Sequence, residues 1–122
     1  MPRLLSTGTH HTVEEHFSGR ASQVRAIYDA LLEAVRMLGP FAEDPKKTSI
    51  HLTRRSTFAG VAMRSDAVIL TVKSDRSVAH RRVRKADQSS ARRWYLEIRL
   101  TAPADVDRQL TTWLRRSYEL SA

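Results

Sequence analysis

The chain contains no cysteine. That excludes a disulfide framework, a thiol nucleophile and every zinc or iron–sulfur centre built on thiolates, and it fits a reducing compartment. Long apolar runs are also missing. The longest, around Ala67-Val68-Ile69-Leu70, falls far short of the roughly 20 residues that a membrane-spanning helix needs. Residues 1–12 surround Leu4 and Leu5 with Pro2, Arg3, Thr7, Gly8, His10 and His11, so no apolar secretion signal is read there and a cytoplasmic location is expected. The glycines Gly8, Gly19, Gly39 and Gly60 are too scattered to form a phosphate-cradling loop. No repeat, low-complexity tract or linker divides the 122 residues, a length that supports one core without staples.

What the chain does have is positive charge, and its placement is uneven. Met1 to Pro45 carries 4 basic and 6 acidic residues (−2), Lys46 to Thr101 carries 14 and 4 (+10), and Ala102 to Ala122 carries 3 and 3 (zero), which together give the net +8. Charge gathered on one segment attracts polyanions by steering and counterion release, so nucleic acid or an acidic protein is the expected class of partner. An arginine-rich composition without any ligand would give the same total.

Hydrophobic periodicity divides the chain into elements. Thr12-Val13-Glu14-Glu15 has the spacing of a capping box ahead of a short helix at 13–17. Val24, Ile27, Tyr28, Leu31, Leu32, Val35 and Leu38 recur at helical spacing from Ser22, and Gly39-Pro40 stops the helix. After a turn at Glu43-Asp44-Pro45, strands are read at 49–53, 57–64 and 67–73, with Ser65-Asp66 as a tight turn. Residues 74–91 offer only Val78 and Val83 as anchors and receive no assignment. Trp94, Leu96, Ile98 and Leu100 alternate with Tyr95, Glu97, Arg99 and Thr101 as a further strand. Pro103 opens a last helix with Val106, Leu110, Trp113, Leu114 and Tyr118 as its apolar stripe. The order predicts an α+β fold: a flexible N-terminus at 1–11, then a single domain at 12–122 whose mainly antiparallel sheet of about four to five strands carries helices on one face. Trp94, Trp113, Tyr28 and Tyr118 are assigned to the core.

Three stretches carry a family likeness: Thr12-Val13-Glu14-Glu15-His16-Phe17, the run from Lys47-Thr48-Ser49-Ile50-His51-Leu52 through Arg54-Arg55-Ser56-Thr57-Phe58-Ala59, and Leu100 to Asp107 with Trp113-Leu114 and Ser117-Tyr118. Over about residues 12–119 the sequence resembles the bacterial family called domain of unknown function 5655. The resemblance implies a small bacterial domain, found alone or as the C-terminal module of larger proteins, with no established activity. Some relatives carry a transport label, for which a basic chain without membrane spans gives no reason here. The family's basic-to-aromatic pattern maps onto Lys47, Thr48, Arg54 and Phe58. Arg54 stands where some relatives have lysine, which keeps the charge and changes the donor geometry.

With helices on the Ile50, Leu52, Trp94, Leu96 face, the opposite face collects His51, Thr53, Tyr95, Glu97 and Arg99. A basic sheet with an exposed aromatic suits single-stranded nucleic acid, because bases stack on the ring while cations neutralise phosphates. The candidate polyanion-binding residues are Lys46, Lys47, His51, Arg54, Arg55, Arg81, Arg82, Arg84, Arg92, Arg93, Tyr95 and Arg99, with Lys85 beside them. A solvated sheet face with Glu97 paired to an arginine is the plainer reading, and no known RNA-binding or helix-turn-helix signature is present. Two other classes remain open: a protein-interaction or self-association module, and a metal-independent ribonuclease-like toxin in which His51 moves protons beside Arg54 and Arg55. Glu97-Ile98-Arg99 lacks the lysine of a restriction-type nuclease site. His10, His11 and His16 have no third-ligand pattern, so no metal and no cofactor is expected. The favoured reading is a non-enzymatic module that binds an anionic partner.

Overall fold

The computed structural model describes residues 11–122. The expected N-terminal segment at 1–11 lies, except for His11, outside the described residues. Helix α1 (Ser22–Arg36) is followed by β1 (Ala42–Pro45), β2 (Ile50–Thr53), β3 (Thr57–Met63), β4 (Val68–Ser74), β5 (Val83–Ser90), β6 (Arg93–Leu100) and α2 (Arg108–Glu119), with short 3-10 turns at Glu14–Phe17 and Pro103–Asp105. The six strands form one antiparallel sheet in the order β1-β2-β3-β4-β6-β5. Both helices pack on one face of it. The fold class is as expected, and the sheet has six strands where about four to five were expected.

The pleat sorts the side chains. Ile50, Leu52, Val61, Met63, Val68, Leu70, Val72, Leu96, Ile98 and Leu100 all turn to the helices and are buried, against Val24, Ile27, Leu31 and Val35 of α1 and Leu110, Trp113 and Leu114 of α2. Each fully buried branched or aromatic side chain contributes about 1.5–3 kcal/mol, so this layer drives the fold. Tyr28 and Tyr118 are in the core as assigned, and Trp94 packs on its margin. Their hydroxyls find partners: Tyr28 donates to Glu43 Oε2 at 3.0 Å and Tyr118 to the Pro40 carbonyl at 2.8 Å. Gly39, at φ +145°, lies under Tyr118 so closely that a Cβ there would stand 2.5 Å from the phenolic oxygen.

Three local expectations need correction. Glu43-Asp44-Pro45, read as a turn, belongs to the edge strand β1 (Ala42–Pro45), paired with β2; proline is tolerated there because an edge leaves one side of the ladder free. The unassigned 74–91 stretch is a crossover followed by edge strand β5. The crossover passes on the helix side, with His80 against Trp113 at 5.2 Å between ring centroids. The last helix starts later than Pro103. Asp105 folds back to accept from the Thr101 and Ala102 backbone N–H groups at 2.8 and 3.1 Å, and Asp107 is the true N-cap, accepting from Leu110 N at 3.0 Å. At the other end, Thr12 Oγ1 accepts from Glu15 N at 3.3 Å as the capping spacing requires.

Candidate functional site

Strand direction decides where the charge goes. Because β2 and β5 run the same way, the β2–β3 turn (Arg54, Arg55, Ser56), the end of β4 (Lys73) and the β5–β6 turn (Arg92, with Arg93 beginning β6) all lie at one end of the sheet. The two turns are three strand spacings apart, about 14 Å. At the opposite end are Lys46 and Lys47, Arg81, Arg82 and Arg84, and Arg99. The candidate cations therefore form two groups, not one.

Carboxylates separate the groups further. At the second end Lys46 pairs with Asp44 at 2.9 Å, Arg84 with Glu97 at 3.3 Å and Arg99 with Asp66 at 3.5 Å. Arg82 is held most firmly, by both oxygens of Asp107 at 2.8 and 3.1 Å and by the Asp105 carbonyl at 2.6 Å. A hollow of about 470 Å³ there is lined by Arg81, Arg82, Arg84, Arg99 and Asp105, and of its four arginines only Arg81 has no ion pair among the described residues. Lys47 likewise has no ion pair among the described residues. Lys85 is matched by Asp87 at 3.5 Å. At the first end Arg54, Arg55, Lys73, Arg92 and Arg93 have no carboxylate partner among the described residues, and Asp75, which follows β4, is engaged by Arg76 and Arg116 at 3.2 and 4.0 Å. Exposed pairs add at most about 1 kcal/mol to stability, but each cancels local positive potential. Of the candidate cations, more stand without a carboxylate partner at the first end than at the second.

The first end is also where the sheet opens. Register is lost at Leu52/Thr53, and the β3–β4 ladder stops at Ala59 opposite Val72. The next pair of backbone groups is bridged from α2: Ser117 Oγ donates to the Phe58 carbonyl at 2.5 Å and accepts from Lys73 N at 2.8 Å. A bulge lets consecutive residues turn inward, so Phe58 and Ala59 are both buried and Phe58 meets Tyr118 edge-on at 5.1 Å. On the open face the same irregularity borders a depression of about 410 Å³, lined among others by His51, Thr57, Gly60, Thr71, Lys73 and Tyr95. Gly60 leaves its floor bare, since an added Cβ would meet only Thr71, at 3.9 Å. Tyr95, at 38% exposure, is the exposed aromatic residue of the described chain.

The side chains around the depression differ in freedom. Lys73 Nζ donates to Ser56 Oγ and Ser121 Oγ, each at 2.8 Å. Burial, with the Arg93 charge second, pushes the Lys73 ammonium below the usual lysine range. Arg54 turns the other way, lying 4.2 Å over the Tyr118 ring and donating to the Tyr118 carbonyl at 3.1 Å. Its guanidinium is thus directed toward α2, away from the face that carries His51. Arg55 N donates to the Ser121 carbonyl at 3.2 Å, which fixes the turn and leaves the side chain exposed. Away from this site, His11 contacts Glu15 at 2.9 Å while His16 is buried and donates to the Lys46 carbonyl at 2.8 Å. Among the described residues no group of three or more His, Asp or Glu could hold a metal ion, and no helix is long and apolar enough to cross a membrane.

Sequence reasoning left out Lys73 and Ser56. Lys73 alternates with Thr71 on the polar side of its strand, which marks it as outward-facing. That it stands opposite Tyr95 follows only from β6 sitting next to β4.

No curated protein and no solved structure matches the chain. The sequence matches the family described as Domain of unknown function (DUF5655) over residues 13–121, so the match takes in α1, all six strands and α2. The chain belongs to that family.

Proposed function

We propose that the protein binds single-stranded nucleic acid across the end of the sheet formed by the β2–β3 turn, the end of β4 and the β5–β6 turn. The observation that carries this reading is the convergence there of Arg55, Lys73, Arg92 and Arg93, none with a carboxylate partner among the described residues, beside a depression walled by Tyr95. Two requirements of strand binding are thereby adjacent: cations for the phosphates and an aromatic face for a base. The opening is about as wide as a few strands of the sheet and suits an unpaired chain whose bases can be splayed out. The second end of the sheet, with Arg82, Arg84 and Arg99 engaged by carboxylates, is assigned no contact.

Anisotropy of labelled single-stranded and duplex DNA and RNA of equal length tests the proposal. Single strands are expected to bind more tightly than duplexes, and Tyr95→Ala to reduce that preference. Absence of binding to any strand at 50 mM salt would reject it.

A further inference from the structure

The rim contains an unbalanced pair. Lys73 and Arg93 lie on adjacent strands two positions apart in register, on the same face, because Lys73 stands opposite Tyr95 and Arg93 precedes Tyr95 by two. Such diagonal neighbours are roughly 7–8 Å apart at their backbones, within reach of two long side chains. Two cations this close repel, and a fold that tolerates them ordinarily supplies a carboxylate. None pairs with either among the described residues. Arg93 makes no side-chain hydrogen bond there either, and its Nε is buried without a partner. The nearest carboxylate by register, Asp87 opposite Tyr95, is paired with Lys85.

Donors are left over at the same place. An ammonium has three N–H bonds; Lys73 uses two, on Ser56 and Ser121. Ser121 can pass its own proton to the Thr57 carbonyl, 3.4 Å away. The Ser56 hydroxyl proton has no acceptor among the described residues. One ammonium N–H, one hydroxyl and a guanidinium fork therefore remain for an outside acceptor, with about two units of positive charge behind them. A phosphodiester brings one negative charge, whereas a phosphomonoester near neutral pH brings about −1.5 to −2 and three acceptor oxygens. The second matches.

We infer that Lys73, Ser56 and Arg93 form a site for a terminal phosphomonoester, the phosphorylated end of a nucleotide strand, whose end base lies in the depression against Tyr95. The inference builds on the strand-binding reading and adds polarity to it: the site takes an end, not the middle, of a strand.

The test compares one short oligonucleotide in three forms, hydroxyl-ended, 5′-phosphorylated and 3′-phosphorylated, with adenosine monophosphate and inorganic phosphate titrated separately. One phosphorylated form is expected to bind at least roughly tenfold more tightly than the hydroxyl-ended form, the range of a charge-assisted hydrogen-bond set. That preference should shrink at pH 5, where the monoester loses its second charge near pH 6. It should disappear in Lys73→Gln and in Arg93→Gln, with circular dichroism melts confirming that each variant is folded. Ser56→Ala, at an exposed turn, gives a second variant if either fails to fold. Equal affinity for all three forms overturns the inference and leaves strand binding standing. Failure of every oligonucleotide, with adenosine monophosphate still bound in a Lys73-dependent way, overturns strand binding and leaves the phosphate site. A preference that survives Lys73→Gln and Arg93→Gln also overturns the site.

Discussion

The sharpest test of the basic rim is how its affinity depends on salt. Each phosphate neutralised on a single strand releases counterions and contributes about −0.7 to the slope of log K against log salt. Four uncompensated cations at one end of the sheet, Arg55, Lys73, Arg92 and Arg93, then set a slope of about −2.8, so affinity should fall roughly fiftyfold between 50 and 200 mM salt. The double variant Arg92→Gln with Arg93→Gln removes two of the four and should flatten the slope by about 1.4. Arg84→Gln with Arg99→Gln removes the same formal charge from the opposite end, where Glu97 and Asp66 already balance it. That pair should change the slope by less than about half a unit. Anisotropy titrations of one labelled strand at five salt concentrations measure all three slopes. Equal flattening by the two doubles would refute the reasoning, because it would mean that total charge governs binding and that its grouping by the sheet does not.

Other expectations concern the scaffold and the depression. Gly39→Ala should destabilise by roughly 2–4 kcal/mol, read by thermal or urea unfolding, because the new Cβ meets the Tyr118 hydroxyl and the backbone sits where side chains are strained. Tyr118→Phe in the same chain should recover part of that loss. Ser117→Ala should cost about 1–3 kcal/mol, since it orphans both the Phe58 carbonyl and the Lys73 N–H in a buried place. Gly60→Val should keep the protein folded and weaken single-strand binding, the side chain occupying the bare floor beside Thr71; unchanged affinity would remove the depression from the site. Backbone N–H bonds from Thr101 and Ala102 hold the Asp105 carboxyl below its usual range, and the Leu110 N–H and Arg82 do so for Asp107. Folded-state values below the unfolded ones mean that this stabilisation is fully present above about pH 4 and is lost as pH falls through the depressed values. The melting temperature should therefore drop on acidification below that point, and less steeply in Asp105→Asn with Asp107→Asn.

Elements with one wet and one dry face were legible in the sequence. Helix α1 and strand β6 have clean periods because each is half-buried, and their residues were sorted correctly by spacing alone. Strand β5 was not readable, because it lies at the sheet edge with only Val83 and Ala86 turned toward the core and the rest open to water. Exposed charged edges of this kind resist pairing with other chains, and the same property erases the alternating signal. Edge strand β1 was hidden by its acids and proline. The site was half visible. Its arginines could be counted, but their division between two ends depends on which way β2 and β5 run. The meeting of Lys73 with Tyr95 and Arg93 depends on β6 entering between β4 and β5, which no local pattern encodes.

The crossover from β4 to β5 has a consequence for when the protein becomes competent. Because β6 arrives last in sequence yet slots beside β4, the β5–β6 hairpin must close against the rest of the sheet before Lys73 faces Arg93. An anion spanning those two side chains grips the seam between the two parts of the chain. By mass action it favours the shut seam, adding about 2.7 kcal/mol at a hundredfold excess over its dissociation constant, so the occupied protein should resist hairpin detachment that the empty one permits.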